Sequence, residues 1–375
     1  SYIALASGFY FSSNLSHQKF IKHEISKIFL NNKYLILRLL ATVILISFVF
    51  RHFDLFYYRD VKFSNSTEVN KYNAAQPQNF SVLFACLTIF RHLYFVPLVY
   101  YFANKMKSKK LLFICILLFL LPILESYLRG SRRIIFESLG LLAIILFVYG
   151  KIKLRSLKTL IVVVVIIFLS LIFSFSVVKD RGDGQENHFY TNIFNAQYNE
   201  FVPANEKVIK FIEENNNLLS HICFTEIHMG QYIIHGVFEM DYMISTKPKH
   251  TYGMYNFYSF VKVFNKLGIV DIPLEELDNP TKRITYITFF GGLFLDFGWF
   301  TIPLMFLFGV FQNKIFTMES NNYIFAPIVI ILLFSNVFML TFNFMRAQFI
   351  FSLIIYFIFI IVVYLLLNSF KKQVQ

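Results

Sequence analysis

Residues 111–150, LLFICILLFLLPILESYLRGSRRIIFESLGLLAIILFVYG, decide the fold. Their two apolar runs, 111–128 and 134–150, approach the length that crosses a lipid bilayer: a core of roughly 30 Å takes about 20 residues at 1.5 Å rise. Only Arg129-Gly-Ser-Arg132-Arg133 separates them, so the chain crosses, turns and crosses back. The runs are continuous rather than alternating, which excludes an outer-membrane barrel and predicts helices.

Working outward, the remaining apolar runs fall at 1–12, 34–53, 80–103, 159–178, 285–311, 323–343 and 349–368. Hydrophobic residues make up 57% of the 375 and charged residues 15%, with 49 phenylalanines, more apolar surface than a soluble domain can keep from water. We therefore expect an all-α polytopic membrane protein with about nine or more transmembrane helices. The chain opens at Ser1 inside an apolar run, which predicts further helices upstream.

Charge orients the spans. Lys19, Lys22, Lys27 and Lys33 lie in 14–33, Lys105, Lys107, Lys109 and Lys110 in 104–110, and Lys151, Lys153, Arg155 and Lys158 in 151–158. With Lys314 in an expected 312–322 turn and Lys371 and Lys372 in the tail, all fall on one side, which the positive-inside rule makes cytoplasmic. These short basic turns beside anionic lipid account for the net charge of +13, so no nucleic acid is expected as a partner. No P-loop and no GxGxxG is present, and three cysteines (Cys86, Cys115, Cys223) make no disulfide framework.

The opposite side holds 54–79, 129–133, 344–348 and one large loop, 179–284. That loop carries 14 acidic and 10 basic residues against 8 and 25 elsewhere, and five of the nine histidines. A structureless loop of that size is unusual, so a mainly helical extracytoplasmic domain is expected. The organisation is then 1–178 (N-terminal transmembrane helices with the arginine turn), 179–284 (the large loop) and 285–375 (C-terminal transmembrane helices). Within the loop, 222–244 reads as an amphipathic helix on the membrane or on the bundle, because Glu226, His228, Gln231, His235, Glu239 and Asp241 make a tenth crossing expensive.

Arg129, Arg132 and Arg133 lie on the outer face, where they have no orienting role. Guanidinium forks bind two oxygens of a phosphate at once, and a lipid-linked phosphate is the natural anion in a multi-span protein. Local pairing is the competing reading, since Glu125 lies four residues before Arg129 and Glu137 four after Arg133. Arg346, Arg283, Arg181 and Arg59 also fall on the outer side and suggest a basic rim. Arg91, beside His92 in the 80–103 run, marks either a polar cavity or a structural ion pair.

On the loop helix, His228, Tyr232, His235 and Glu239 stand at i, i+4, i+7 and i+11, one face. A histidine one turn from a carboxylate suits a general base; the same face suits an interfacial helix with its polar residues turned to water. Asp296, in FFGGLFLDFGWF, is an intramembrane acid; Gly291, Gly292 and Gly298 around it allow close packing. For Asp296 a carboxylate tied to a neighbouring helix is favoured slightly over a catalytic one.

This pattern resembles the Wzy-type O-antigen and capsular polysaccharide polymerase family. The resemblance covers the architecture of many spans, short basic cytoplasmic turns and one large late loop. Two stretches also carry it: Arg129 with Gly140 after ten intervening residues, and GGLFLDFGWFTIPLMFLFG from Gly291 to Gly309. A second Arg-x10-Gly is missing from the large loop, where Arg283 is followed by Phe294 at the matching position. The resemblance implies a multi-pass protein of the bacterial inner membrane with its site on the periplasmic side. It implies transfer of a glycan from undecaprenyl pyrophosphate to another lipid-linked repeat unit, and allows a chain-length regulator as partner. Arg129, Arg132, Arg133, Arg181, Arg283, Arg346 and Arg91 would hold the pyrophosphate, and His228, His235 or Glu239 would act as base. No metal and no cofactor is expected, because lipid pyrophosphate is already a good leaving group. An O-antigen ligase shares the donor chemistry. A lipid-linked oligosaccharide flippase or other transporter is the alternative of another class, disfavoured by the lack of an internal repeat.

Overall fold

The computed structural model describes residues 2–15, 28–63, 67–75, 87–129, 132–152, 156, 202–215, 217–278, 287–341, 343–346 and 348–374. Among these the chain is 80% helical with no strand. In chain order the helices are α1 (Tyr2–Leu15), α2 (Lys33–Phe53, continued by a π-helical turn Asp54–Tyr58), α3 (Thr67–Ala75), α4 (Val96–Ala103, preceded by a 3-10 turn Ile89–Leu93), α5 (Lys109–Leu128) and α6 (Arg132–Val148). There follow α7 (Glu206–Glu214), α8 (Leu218–Thr246), α9 (Tyr258–Lys266), α10 (Leu274–Asp278), α11 (Phe289–Phe297), α12 (Thr301–Asn321), α13 (Ala326–Phe338) and α14 (Gln348–Val374). Among the described residues four stretches are long and apolar enough to cross a membrane: Lys33–Tyr58, Lys109–Leu128, Phe289–Glu319 and Ser352–Ser369. The chain is therefore a helical protein built for a membrane. The expected span 159–178 lies outside the described residues.

Two expectations change. The 285–311 span is interrupted: Gly298, at φ 57 and ψ −138, ends α11, and a 3-10 turn Gly298–Phe300 leads into α12. Only glycine adopts that backbone without strain. The expected 312–322 turn is instead the last part of α12, which runs on to Asn321. No glycine or proline stops the helix there, and the polar Gln312 and Asn313 are buried rather than turned out. Asn322 makes the break, its side chain capping the Ile324 N–H at 3.1 Å.

The chain divides into two compact units. One contains Leu5–Thr159, Phe306–Phe334 and Phe349–Gln375. Here α2 buries Ile36, Leu40, Ile44, Ser47, Phe48 and Arg51, a stripe at helical period that ends on a charge. α5 does the same with Cys115, Leu118, Phe119, Pro122, Glu125 and Ser126. In both helices the periodicity that buries apolar side chains near one end carries a charged one inward at the other.

The other unit contains Ser1–Ala4, Leu160–Met305 and Ser335–Gln348. Asn217 and Ser220 form a reciprocal capping box that starts the 29-residue α8. α7 packs Ile212 against Phe224 of α8. A core of Met243, Tyr255, Val261, Leu277, Ile287, Phe294 and Leu295 joins α8, α9, α10 and α11.

Candidate functional site

The first cluster lies in the α2/α5 unit and is a ladder of alternating charge. Arg59 Nε meets Asp54 Oδ2 at 3.0 Å, and the same oxygen takes Arg51 Nη1 at 2.6 Å. Arg51 Nε then reaches Glu125 Oε1 at 3.1 Å, and Arg129 Nη2 closes on that oxygen at 3.0 Å. The π turn after α2 makes this possible, because its extra residue per turn brings Asp54 and Arg59 to one face.

Arg91 joins from the 3-10 turn, which two helices hold by its backbone and a third by the Tyr94 side chain. Its N–H donates to Ser47 Oγ of α2 at 2.9 Å, and the next carbonyl, His92, accepts from Ser352 Oγ of α14 at 3.0 Å. Tyr94 at the turn's end hydrogen-bonds Ser138 of α6 at 3.0 Å. The charges that act on the Arg91 guanidinium are Arg51, Glu125, Arg129 and Asp54. Among the described residues that guanidinium has no ion pair. The cluster thus sets four arginines against two carboxylates. Arg129 Nε and the fully buried Ser126 Oγ, about one turn apart at the end of α5, are buried with no hydrogen-bond partner among the described residues. Burial pulls the Arg129 guanidinium below its ordinary value, and Glu125 opposes that pull.

The expected trio at the hairpin tip is therefore divided. Arg129 belongs to the ladder, whereas the exposed Arg133 pairs with Glu137 through Nε. Arg132 is the first residue of α6, and its side chain lies outside the described residues. Arg181 and Arg283 also lie outside them. Arg51 is the member that sequence reading passed over. Its signal was a basic residue at the outer end of a span, three positions before Asp54.

The second cluster belongs to the other unit. Asp296 near the end of α11 is fully buried and accepts four hydrogen bonds. Thr251 Oγ1 at 2.5 Å and the Tyr255 N–H at 3.0 Å donate to Oδ1; the Asn256 N–H at 3.1 Å and its Nδ2 at 2.6 Å donate to Oδ2. The favoured expectation of a tied carboxylate thus matches the geometry, the tie being to the 251–256 turn rather than to a helix. Arg346 lies over the rings of Tyr255 and Tyr258, 4.3 and 4.6 Å from their centroids. It also donates to Tyr255 Oη at 3.3 Å and pairs with Asp278 at 2.5 Å. Burial pushes the Tyr255 phenol up to about 12, against the pull of Arg346, so it keeps its proton.

The third group lies along α8. Gln231, His235, Glu239 and Met243 are buried on one face, while Ile234, Val237 and Phe238 are exposed. The helix is therefore polar inward and apolar outward, which overturns the reading of an interfacial helix with these polar residues turned to water. An apolar outer face with a polar inner one is what a lipid-facing helix requires. Glu226 and Asp241, by contrast, are exposed. His235 Nδ1 lies 3.2 Å from the Gln231 carbonyl; donating there makes Nε2 the basic nitrogen, with Glu239 one turn further on. His228 is on the same helix, its side chain outside the described residues.

No family model, no curated protein and no solved structure matches this chain.

Proposed function

We propose that this chain is a membrane glycosyltransferase of the Wzy polymerase type, joining oligosaccharide repeat units carried on undecaprenyl pyrophosphate at the periplasmic face of the bacterial inner membrane. The observation that carries the reading is the arginine surplus in the ladder: among the described residues four guanidinium groups face two carboxylates in an apolar unit, and Arg91, which feels the charges of Glu125 and Asp54, makes no ion pair. A buried surplus of fixed cations is costly unless an anion completes it, and a pyrophosphate supplies that charge with oxygens suited to guanidinium forks.

In this mechanism an acceptor-sugar hydroxyl attacks the anomeric carbon of the donor glycan. The new glycosidic C–O bond forms as the bond from that carbon to the pyrophosphate oxygen breaks. Lipid pyrophosphate leaves with the electron pair, and Arg91 and Arg129 stabilise its growing charge. Arg132 and Arg133 are the further pyrophosphate contacts that the proposal names in this unit. The base the proposal names for the hydroxyl proton is His235, acting through Nε2 with its Nδ1–H on the Gln231 carbonyl; His228 and Glu239 are the alternative bases.

The test is to incubate the purified chain in liposomes with a synthetic lipid-pyrophosphate-linked repeat unit, without nucleotide sugar or metal. A ladder of lipid-linked oligomers supports the reading. Intact substrate after prolonged incubation with protein shown to bind it overturns polymerisation and moves the assignment to a ligase or a transporter.

A further inference from the structure

We propose that Asp296 is the positioning residue of Arg346, acting through Asn256 and Asn343, and that Arg346 so held is a phosphate contact of its unit. The second half rests on the glycosyltransferase reading; the first does not.

The relay has three links. Asn256 Nδ2 donates to Asp296 Oδ2 at 2.6 Å, Asn343 Nδ2 donates to Asn256 Oδ1 at 2.8 Å, and the Arg346 N–H donates to Asn343 Oδ1 at 3.2 Å. Each oxygen of Asp296 already accepts a backbone N–H, from Tyr255 and from Asn256, so the acid faces Asn256 as an acceptor and dictates the direction of both amides. Asn256 must turn its NH2 toward the acid and its oxygen away. Asn343 must then do the same, which leaves its oxygen for Arg346. A neutral side chain at 296 would let either amide reverse. All three relay side chains are buried, where a reversed amide would oppose like groups at the cost of a hydrogen bond.

Gly292 is a separate sign that the path is built. A Cβ at that position would overlap Asn343 Nδ2 and stand 2.7 Å from Asn256 Oδ1. The missing side chain is the space through which the two amides meet.

At the far end, the relay fixes the backbone of Arg346 and the two tyrosine rings fix its plane. Arg346 Nε is buried without a hydrogen-bond partner among the described residues, and Asp278, its ion-pair partner, is the exposed member of the pair. An oxyanion arriving from that side displaces Asp278 and finds a fork already oriented. Phosphate oxygens of a lipid-linked pyrophosphate are the ligand class that fits this planar donor.

Arginine-selective labelling of the full chain in detergent with phenylglyoxal, read residue by residue by peptide mass spectrometry, tests both halves. In the unaltered chain Arg346 labels slowly and inorganic pyrophosphate slows it further, whereas the exposed Arg133 labels fast. In Asn343→Ala and in Gly292→Ala, Arg346 labelling accelerates at least about fivefold, the factor expected for one lost hydrogen bond, and pyrophosphate protection disappears. Arg133 and Arg129 do not change. Unaltered Arg346 labelling in both variants overturns the relay. Acceleration at Arg129 as well signals a lost fold, and Asn343→Ser then decides by the same criterion. Failure of the intact chain to polymerise lipid-linked units, with the relay effect present, removes the glycosyltransferase reading and leaves the positioning role standing. Acceleration without any pyrophosphate protection in the intact chain overturns the phosphate contact alone.

Discussion

Arg51 and Glu125, 74 positions apart in sequence, meet at 3.1 Å where the buried stripes of α2 and α5 end. Both groups are almost wholly removed from solvent, and Glu125 Oε1 also serves Arg129. Breaking such a pair from one side is far more damaging than never having had it, because the survivor stays buried and charged. Glu125→Gln should therefore destabilise the protein by about 3–5 kcal/mol, seen as a large fall in the thermal unfolding midpoint in detergent. Arg51→Met combined with Glu125→Met should unfold at a higher temperature than either single variant. A double variant whose loss equals the sum of the singles would sink the idea that these charges act on each other.

Arg91 should behave in the opposite way. Its neighbours include two other arginines as well as two carboxylates, so removing it relieves repulsion as it loses attraction. Arg91→Gln is expected to leave the unfolding midpoint unchanged or slightly raised. Its affinity for inorganic pyrophosphate should fall about 10-fold or more, the scale of one charge-assisted contact. Calorimetric titration and thermal unfolding on the same sample check both signs. A collapsed midpoint with undiminished affinity would make Arg91 a structural ion pair.

The buried pair on α8 gives a kinetic prediction. His235→Gln keeps polar volume but loses the basic nitrogen, and should lower turnover of a lipid-linked acceptor by about 10²–10⁴-fold with little change in KM. Glu239→Gln, which leaves the contact of His235 Nδ1 with the Gln231 carbonyl in place, should cost less. Equal turnover in His235→Gln and the unaltered chain would transfer the role of base elsewhere, with His228 the next candidate.

Helix was legible along most of the chain because continuous apolar runs leave little else to form in a membrane. The arginine signal was legible too, but its geometry was not. Arg129, Arg132 and Arg133 look like one cluster in sequence, whereas a helix start between them sends Arg129 to Glu125 and Arg133 to Glu137. Arg51 was hidden because, although Asp54 stands three positions on, its second partner Glu125 is 74 residues away. The α8 face was visible from spacing, but spacing does not tell which side of a helix is covered. That His235 and Glu239 point inward depends on packing of distant segments. The relay from Asp296 to Arg346 left only one trace in the sequence, the glycines around Asp296, which suggested close packing without naming Asn343 as the group that fills the space.

Two glycines on α1 and α12 and one on α8 should respond to substitution with opposite signs. A Cβ at Gly8 of α1 would overlap the Phe306 carbonyl of α12, and one at Gly309 would overlap the Leu5 carbonyl, so the two backbones lie in direct contact. That arrangement lets helices approach where lipid offers no hydrophobic drive, and it tolerates no side chain. Gly309→Leu should therefore cost about 1–3 kcal/mol and expose α1 to limited proteolysis in detergent. Gly230, inside α8, has none of the described residues within 4 Å of its Cβ position. Gly230→Ala fills open space and removes backbone freedom from the unfolded chain, so it should stabilise by about 0.5–1 kcal/mol. Thermal unfolding of the two variants side by side should move the midpoint down for one and up for the other. A Gly309→Leu protein as stable as the unaltered chain would rule out the backbone contact between α1 and α12.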